Sequence, residues 1–124
     1  MPITNRGYAN ARVFMPAGSL THVNSEAFGA ELAAHVDECL KDGHAVVFDL
    51  SKLEFVSSAG LRCFLMAAKQ AKARNVRSLF ASLQPSVMEI FQISRFDRVF
   101  EMFPTLREAL ASVSSEAAQA YDRG

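Results

Sequence analysis

Apolar and polar positions change period several times along the chain, and each change predicts a new strand or helix. A continuous apolar run of strand length, residues 45–50, predicts a central strand that is covered on both faces. After Asn24 and Ser25, either of which can cap a helix, apolar residues recur at three- and four-residue spacings. They are Ala27, Phe28, Leu32, Val36 or Cys39, and Leu40, and the helix that they predict ends at residues 41–43.

The other predicted elements follow from shorter apolar runs bounded by Pro, Gly and Asn. They are a hairpin of residues 2–6 and 11–17, a loop at 18–24, a helix at about 58–74 with Leu61, Phe64, Leu65 and Ala68 inward, strands at 76–83 and 99–103, and helices at 86–93 and 104–114. This alternation predicts an α/β fold: one domain over residues 1–114, with a mixed, mostly parallel sheet of four to five strands and about four helices. Residues 115–124 are predicted to form a polar C-terminal tail that frays.

Composition and charge narrow the class of protein. Half of the 124 residues are hydrophobic, which is enough for a single core, and thirteen basic side chains balance thirteen acidic ones. A balanced charge gives no field that attracts nucleic acid or anionic lipid, and no apolar run approaches the roughly 18 residues of a membrane span. Cys39 and Cys63 lie in helix-like surroundings without CxxC spacing, which predicts buried free thiols. We expect a small cytoplasmic domain without membrane insertion.

The usual arrangements of catalytic and metal-binding residues are absent from the sequence. His22, His35 and His44 are scattered, and no histidine or carboxylate spacing suits a metal ion. Ser58 has no nucleophile elbow around it, and the chain has no glycine-rich phosphate loop. We therefore predict a protein that is not an enzyme, with no catalytic residue, metal or cofactor. Only His22 lies in a loop that can meet residues 57–58.

Two serines, Ser57 and Ser58, lie where the predicted central strand and the turn after it lead into a predicted helix. A serine at this place has unpaired backbone N–H groups beside it and the positive end of a helix dipole beneath it. Such a place suits a serine that gains and loses a phosphate. It equally suits a plain helix cap, so the local pattern leaves both interpretations open.

The segment around the two serines resembles the signature of STAS domains, the anti-sigma factor antagonist family. Asp49-Leu50-Ser51 is followed by Leu53, by Phe55-Val56 and by Ser57-Ser58-Ala59-Gly60-Leu61. The family has Asp-Leu-Ser, then apolar residues, then Asp-Ser-Ser-Gly-Leu or the variant Ser-Ser-Ala-Gly-Leu-Arg. Weaker matches at residues 18–21, 85–100 and 106–110 extend the resemblance over about residues 11–113.

The resemblance implies a module that binds a serine-kinase anti-sigma factor while unphosphorylated. That kinase would phosphorylate the module, and a PP2C-type phosphatase would restore it. Ser58 falls on the family's phospho-acceptor, and Ser57 is the second choice. The predicted partner-binding residues are Thr21, His22, Asn24, Ser57, Ser58, Ala59, Gly60, Leu61, Arg62 and Phe96. Arg62, four residues after Ser58 on the same helical face, can pair with a phosphate.

Two positions depart from the family pattern. Ser57 and Thr21 stand where many members have Asp, so two carboxylates are missing near Ser58. An alternative function is that of a constitutive STAS subunit in a membrane lipid-transport ATPase complex. A small-ligand or nucleotide-binding module is a further alternative, supported by fold analogy alone.

The chain has ten phenylalanines, which is many for its length. Those predicted to pack in the core are Phe48, Phe55, Phe64, Phe80, Phe91 and Phe100. An alternative to complete burial is that part of an apolar face stays exposed for a partner. This face would be formed by Met88 with Phe91 and by Phe96 with Phe103.

Overall fold

The computed structural model describes residues 3–124, so the predicted first strand begins outside the described residues. The strands are β1 (Ile3–Tyr8), β2 (Ala11–Pro16), β3 (Gly18–Leu20), β4 (Ala45–Asp49), β5 (Leu53–Val56), β6 (Ser78–Ala81) and β7 (Glu101–Phe103). The α-helices are α1 (Ser25–Lys41), α2 (Ser58–Ala73), α3 (Pro85–Ile93), α4 (Leu106–Val113) and α5 (Ser115–Asp122), with a 3-10 turn at Phe96–Arg98. No helix within residues 3–124 is both long and apolar enough to cross a membrane.

Five strands form one mixed sheet in the order β1-β2-β4-β6-β7. β1 is antiparallel to β2, and every other pair in this sheet is parallel. This arrangement confirms the predicted α/β class and the mixed, mostly parallel sheet. The parallel neighbours are joined through helices, as parallel connections require.

A second sheet of two short parallel strands, β3 and β5, was not predicted. Residues 18–24 were expected to be loop throughout, but Gly18–Leu20 pairs with Leu53–Val56. Strands of three and four residues are too short to show a period-two pattern, so they are decided by their partner rather than by their own sequence.

The core has two layers, one on each face of the main sheet. All five residues of β4 are buried, and their side chains alternate between the layers. Val46 and Phe48 face α1, α2 and α3, whereas Ala45 and Val47 face α4 and α5. The prediction of a strand covered on both faces is therefore correct.

Phenylalanine rings fill the layer beneath α1, α2 and α3. The ring of Phe80 stacks on Phe48 at 4.8 Å and on Phe100 at 4.4 Å, measured between centroids. Phe64 meets Phe48 and Phe80 edge to face at 5.3 and 5.8 Å. Such stacked and edge-to-face geometries are the favoured ones for aromatic pairs. The prediction of a phenylalanine core holds for these rings and for Phe91.

Two residues predicted to be inside are exposed. Phe55 keeps 45% of its surface exposed because β5 buries Leu53 and Val56 and turns its two central residues outward. Ala27 is exposed because α1 buries the stripe that begins at Phe28, and Ala27 lies about 100° around the helix from it. Phe91 is fully buried, so it does not form the exposed face of the alternative arrangement.

The predicted frayed tail is instead helix α5. Ser114 caps this helix through its hydroxyl oxygen, which accepts a hydrogen bond from the Ala117 N–H at 3.0 Å. Ala117 and Ala118 are buried, and the Tyr121 ring meets Tyr8 edge to face at 5.6 Å. Small alanines give no apolar stripe in the sequence, yet they allow α5 to pack closely on β1 and α4. The placement of a domain boundary at residue 114 stays a prediction.

We expect Ala117→Leu to lower the free energy of unfolding by about 1–3 kcal/mol, because the site has no room for a larger side chain. Urea denaturation monitored by circular dichroism measures this change. Gln119→Leu on the exposed face of the same helix is the control, with an expected change within about 0.5 kcal/mol. Equal, small effects of both substitutions would show that α5 is frayed in solution.

Candidate functional site

The small sheet brings two distant segments of the chain side by side. Leu20, the last residue of β3, is paired with Val56, the last residue of β5. The Ser57 N–H donates a hydrogen bond to the Leu20 carbonyl at 2.8 Å. The loop of residues 21–24 and the serine turn, Ser57–Ser58, therefore leave the same edge of this sheet, and each leads directly into a helix. Two helix N-termini thus lie at one edge.

Asn24 holds the loop of residues 21–24 in its closed shape. Its side-chain oxygen accepts from the Thr21 N–H at 2.8 Å, and its amide nitrogen donates to the Ser19 carbonyl at 2.9 Å. Asn24 was one of the two residues predicted to cap α1, and it does occupy the N-cap position. Its side chain, however, makes no capping hydrogen bond to that helix. The loop is fixed from inside, and His22 and Val23 are exposed on its outer side.

The two serines of the turn have different roles. Ser57 has an extended backbone and is the N-cap of α2, and its hydroxyl oxygen accepts from the Gly60 N–H at 3.1 Å. Ser58 is the first residue of α2 and is exposed. Its hydroxyl has no hydrogen-bond partner among residues 3–124. The interpretation of Ser58 as a helix cap is therefore wrong, because Ser57 fills that position.

Gly60 and Leu61 lie beneath the turn rather than on its surface. A Cβ atom on Gly60 would come within 2.7 Å of Leu20 and 2.8 Å of Val56, so only glycine fits between α2 and the small sheet. Leu61 is 4% exposed and belongs to the core. Both were predicted to contact a partner, and the structure gives them a supporting position instead.

A groove of about 390 Å³ runs between α1 and α2 next to the serine turn. His22, Ala59 and Arg62 line it together with Cys63 and Met66. The Cys63 thiol donates to the Ser25 carbonyl at 3.3 Å, and burial raises the pKa of this thiol, which keeps it neutral. Arg62 is exposed and forms no ion pair within the described part of the chain.

Small residues on both helices make this close packing possible, and the predictions above do not include a tight pairing of α1 with α2. A Cβ atom on Gly29 would come within 3.1 Å of the Cys63 sulfur. Ser25 and Gly29 on α1, and Ala59 and Cys63 on α2, are each four residues apart, so each pair lies on one helical face. That spacing of small residues is the signal that predicts a tight helix pair.

Phe96 is separate from the serine turn. It is half-buried in the 3-10 turn, where its ring packs against Phe100 at 5.3 Å and Phe91 at 6.5 Å. Its place in a partner surface stays a prediction. Asp49 has a structural position, because its buried carboxylate accepts from the Ser51 N–H at 3.0 Å and fixes the turn after β4. Residues 3–124 contain no cluster of three His, Cys, Asp or Glu side chains that could hold a metal ion.

Comparison with known proteins gives the family. The sequence model of the STAS domain family matches residues 2–109 of this chain. The chain belongs to the STAS domain family. The resemblance of residues 49–61 to the STAS signature is thereby confirmed, together with its weaker extensions on both sides.

Three relatives illustrate the likeness. BtrV of Bordetella bronchiseptica, a candidate anti-sigma factor antagonist, is 40% identical over 100 residues, which cover 81% of this chain and 83% of BtrV. A candidate anti-sigma factor antagonist from Thermotoga maritima superposes with a TM-score of 0.81 at 17% identity, covering 90% of this chain and 93% of that one.

The third relative is the anti-sigma factor antagonist SpoIIAA, whose structure is known in two forms. The unphosphorylated form gives a TM-score of 0.64 at 17% identity and covers 98% of this chain and 96% of that one. The phosphorylated Bacillus form gives 0.65 at 19% identity and covers 90% of this chain and 99% of that one. At these identities the likeness shows that the STAS fold is shared.

In this STAS domain, Ser57→Ala should lower the free energy of unfolding by about 1 kcal/mol, because the N-cap hydrogen bond is lost. Ser58→Ala should change it by less than about 0.5 kcal/mol, since the Ser58 hydroxyl is exposed and bonds to no described residue. Urea denaturation of both variants makes the comparison. The reverse order of effects would assign the cap to Ser58.

Gly60→Ala should destabilise the STAS domain by about 1–3 kcal/mol, because the added methyl overlaps Leu20 and Val56. In an unobstructed helix the same change stabilises by up to about 1 kcal/mol, so the sign of the effect is diagnostic. Gly7→Ala is the control: the nearest atom to its Cβ is in the flexible Arg12 side chain at 3.7 Å. A stabilised Gly60→Ala variant would contradict the close approach.

Proposed function

We propose that this STAS domain is an anti-sigma factor antagonist that binds a serine-kinase anti-sigma factor and is switched by reversible phosphorylation of Ser58. Binding would take place on the switch surface, which we define as Thr21, His22, Asn24, Ser57, Ser58, Ala59 and Arg62. Gly60 and Leu61 support this surface from below. The role is one of binding rather than catalysis by this chain, and we place it in the cytoplasm.

The observation that carries this proposal is that the two serines have different positions at the start of α2. Ser57 completes the cap of α2, so the Ser58 hydroxyl is exposed and makes no hydrogen bond to residues 3–124. A kinase can therefore reach Ser58 without breaking the helix start. The Ser57 hydroxyl, the second choice, is half-buried and already bound to the Gly60 N–H, so a kinase would have to draw it out of the cap first. This difference favours Ser58.

The local electrostatics suit a phosphate on Ser58. Phosphorylation adds about −1.5 to −2 charges at a helix N-terminus, where free N–H groups and the helix dipole favour an anion. The first turn of α2 carries no acidic residue that would repel it. Arg62 follows one turn later on the same face and is free to pair with the phosphate. A dianion would thus be tolerated by this fold while it disturbs a partner pressed against the surface.

Local geometry alone does not single out Ser58, because α5 begins in the same way. Ser114 caps α5 through the Ala117 N–H, and Ser115 is its exposed first residue. Gln119 stands where α2 has Arg62. The start of α5 therefore has no arginine one turn after its exposed serine. The basic residue and the neighbouring loop of residues 21–24 are what favour Ser58 over Ser115.

The relatives support the same function. BtrV carries the name of a candidate anti-sigma factor antagonist and is 40% identical. The fold of this chain is equally similar to SpoIIAA in its unphosphorylated and phosphorylated forms, with TM-scores of 0.64 and 0.65. This supports a switch that acts through the charge of the surface rather than through refolding. The kinase would transfer the γ-phosphoryl group of ATP to the Ser58 oxygen with release of ADP, and a PP2C-type phosphatase would hydrolyse the ester to serine and inorganic phosphate.

Intact-mass spectrometry after incubation with ATP and a serine kinase that co-purifies with the chain tests the switch. We expect the mass of one phosphate on the wild type and none on Ser58→Ala. Ser115→Ala, which has the same local geometry, is the matched control and should be phosphorylated like the wild type. A phosphate that persists on Ser58→Ala would assign the modification to Ser57 or to another residue.

Affinity for the same kinase supplies the second readout. Ser58→Asp should weaken binding by about 10- to 1000-fold, since a desolvated or repelled charge at an interface costs a few kcal/mol. Ser115→Asp should leave the affinity unchanged. Stable association with a transporter ATPase that is indifferent to Ser58→Asp would instead favour the constitutive lipid-transport subunit.

A further inference from the structure

A second cavity lies at the end of α2 that is remote from the switch surface. It measures about 320 Å³ and is open between the C-terminal half of α2, the start of β6 and residues 99–101, which follow the 3-10 turn. We name it the basic pocket and define it by Leu65, Lys69, Lys72, Val76, Val99 and Phe100. Lys69 is eleven residues after Ser58, which places it about 16 Å farther along the helix axis.

The free charges of the basic pocket are positive. Arg77 borders it, but the Arg77 guanidinium already binds the Glu101 carboxylate at 2.7 and 3.1 Å and the Ser112 carbonyl at 2.8 Å. Lys69 and Lys72 are exposed, and no carboxylate of residues 3–124 lies within ion-pair distance of either ammonium group. These two lysines, three residues apart on one helical face, therefore remain unpaired at the rim.

The neutral total charge of the protein hides this local excess. The lining of the basic pocket contains three cations, Lys69, Lys72 and Arg77, and one carboxylate, Glu101, which is paired with Arg77. The acidic residues are concentrated elsewhere, for example on α1, which carries Glu26, Glu31, Asp37 and Glu38. The lining of the basic pocket therefore has a net positive charge, which complements an anion.

The wall of the basic pocket is apolar. Leu65 and Val76 are half-buried, and the Phe100 ring lies behind them in the core. Val99 keeps 66% of its surface exposed, so it presents apolar area at the rim of the pocket. An apolar group placed in the pocket would cover Val99 and Val76 together. Cavities of this size, with apolar walls and a few charged groups, are typical of small-ligand sites.

We propose that the basic pocket binds a small amphipathic anion. Its phosphate or carboxylate head would lie between Lys69 and Lys72, and its alkyl or aromatic body would lie against Val76, Val99 and Phe100. Both parts are needed, because an anion alone leaves the apolar wall uncovered and a neutral body leaves the lysines unpaired. This site is separate from the switch surface, so it is independent of phosphorylation at Ser58.

Titration of the full chain with octyl phosphate below its micelle concentration, followed by amide chemical shifts, tests this proposal. We expect saturable shifts confined to residues 65–76 and 99–101. The double variant Lys69→Gln/Lys72→Gln should bind at least about 10-fold more weakly, as loss of two charge-assisted contacts implies. The control Lys41→Gln/Lys52→Gln removes the same charge from exposed sites elsewhere and should bind like the wild type.

The apolar wall is tested with butyl phosphate, which carries the same head group. Its four fewer methylene groups bury less apolar area, so the affinity should be at least about tenfold weaker than that of octyl phosphate. Equal binding of the two phosphates, equal binding of the two double variants, or shifts outside the two segments would overturn the proposal. Lysine-dependent binding to phosphatidylglycerol vesicles without saturable binding of monomeric octyl phosphate would also overturn it, and would assign the surface to a membrane.

Discussion

Burial of β4 on both faces is the constraint on which the rest of the fold depends. A strand whose apolar side chains point to both faces of the sheet needs a helical cover above and below it. The Phe48 side chain points into one layer, where stacked and edge-to-face rings join β4, β6, α2 and α3. The Val47 side chain points into the other layer, which is built from smaller side chains. Helix α5 completes that layer. The C-terminal helix is therefore part of the core.

The switch surface is positioned by contacts that are not themselves functional. The two-stranded sheet joins Leu20 to Ser57 through a backbone hydrogen bond, and Gly60 allows α2 to begin directly against it. Asn24, itself part of the switch surface, fixes the loop of residues 21–24 through hydrogen bonds to the Thr21 N–H and the Ser19 carbonyl. The partner that we propose would therefore meet a preformed surface. A charge added there would change the binding energy without the cost of refolding.

Helix α2 links two chemically different ends of the molecule. Its N-terminus presents exposed hydroxyl and N–H groups, whereas its C-terminal half carries Lys69 and Lys72 above an apolar wall. The dipole of the helix favours an anion at the first end and basic side chains at the second. The basic residues near the second end attract anions despite that dipole, because their full charges exceed the partial charges of the terminal carbonyls. The two sites that we propose for negative charge thus lie at opposite ends of one helix and would stabilise it for separate reasons.

The sequence by itself determined the fold class, helices α1 to α4, the strands of the main sheet and the place of the two serines, because long apolar runs and periodic helices carry their own signal. The tertiary structure decided the rest. It paired β3 with β5, exposed Phe55, buried Ala117 and gave the cap to Ser57 rather than Ser58. Each of these depends on a partner distant along the chain or on the direction of one side chain. Neither quantity is encoded in the local pattern of apolar and polar residues.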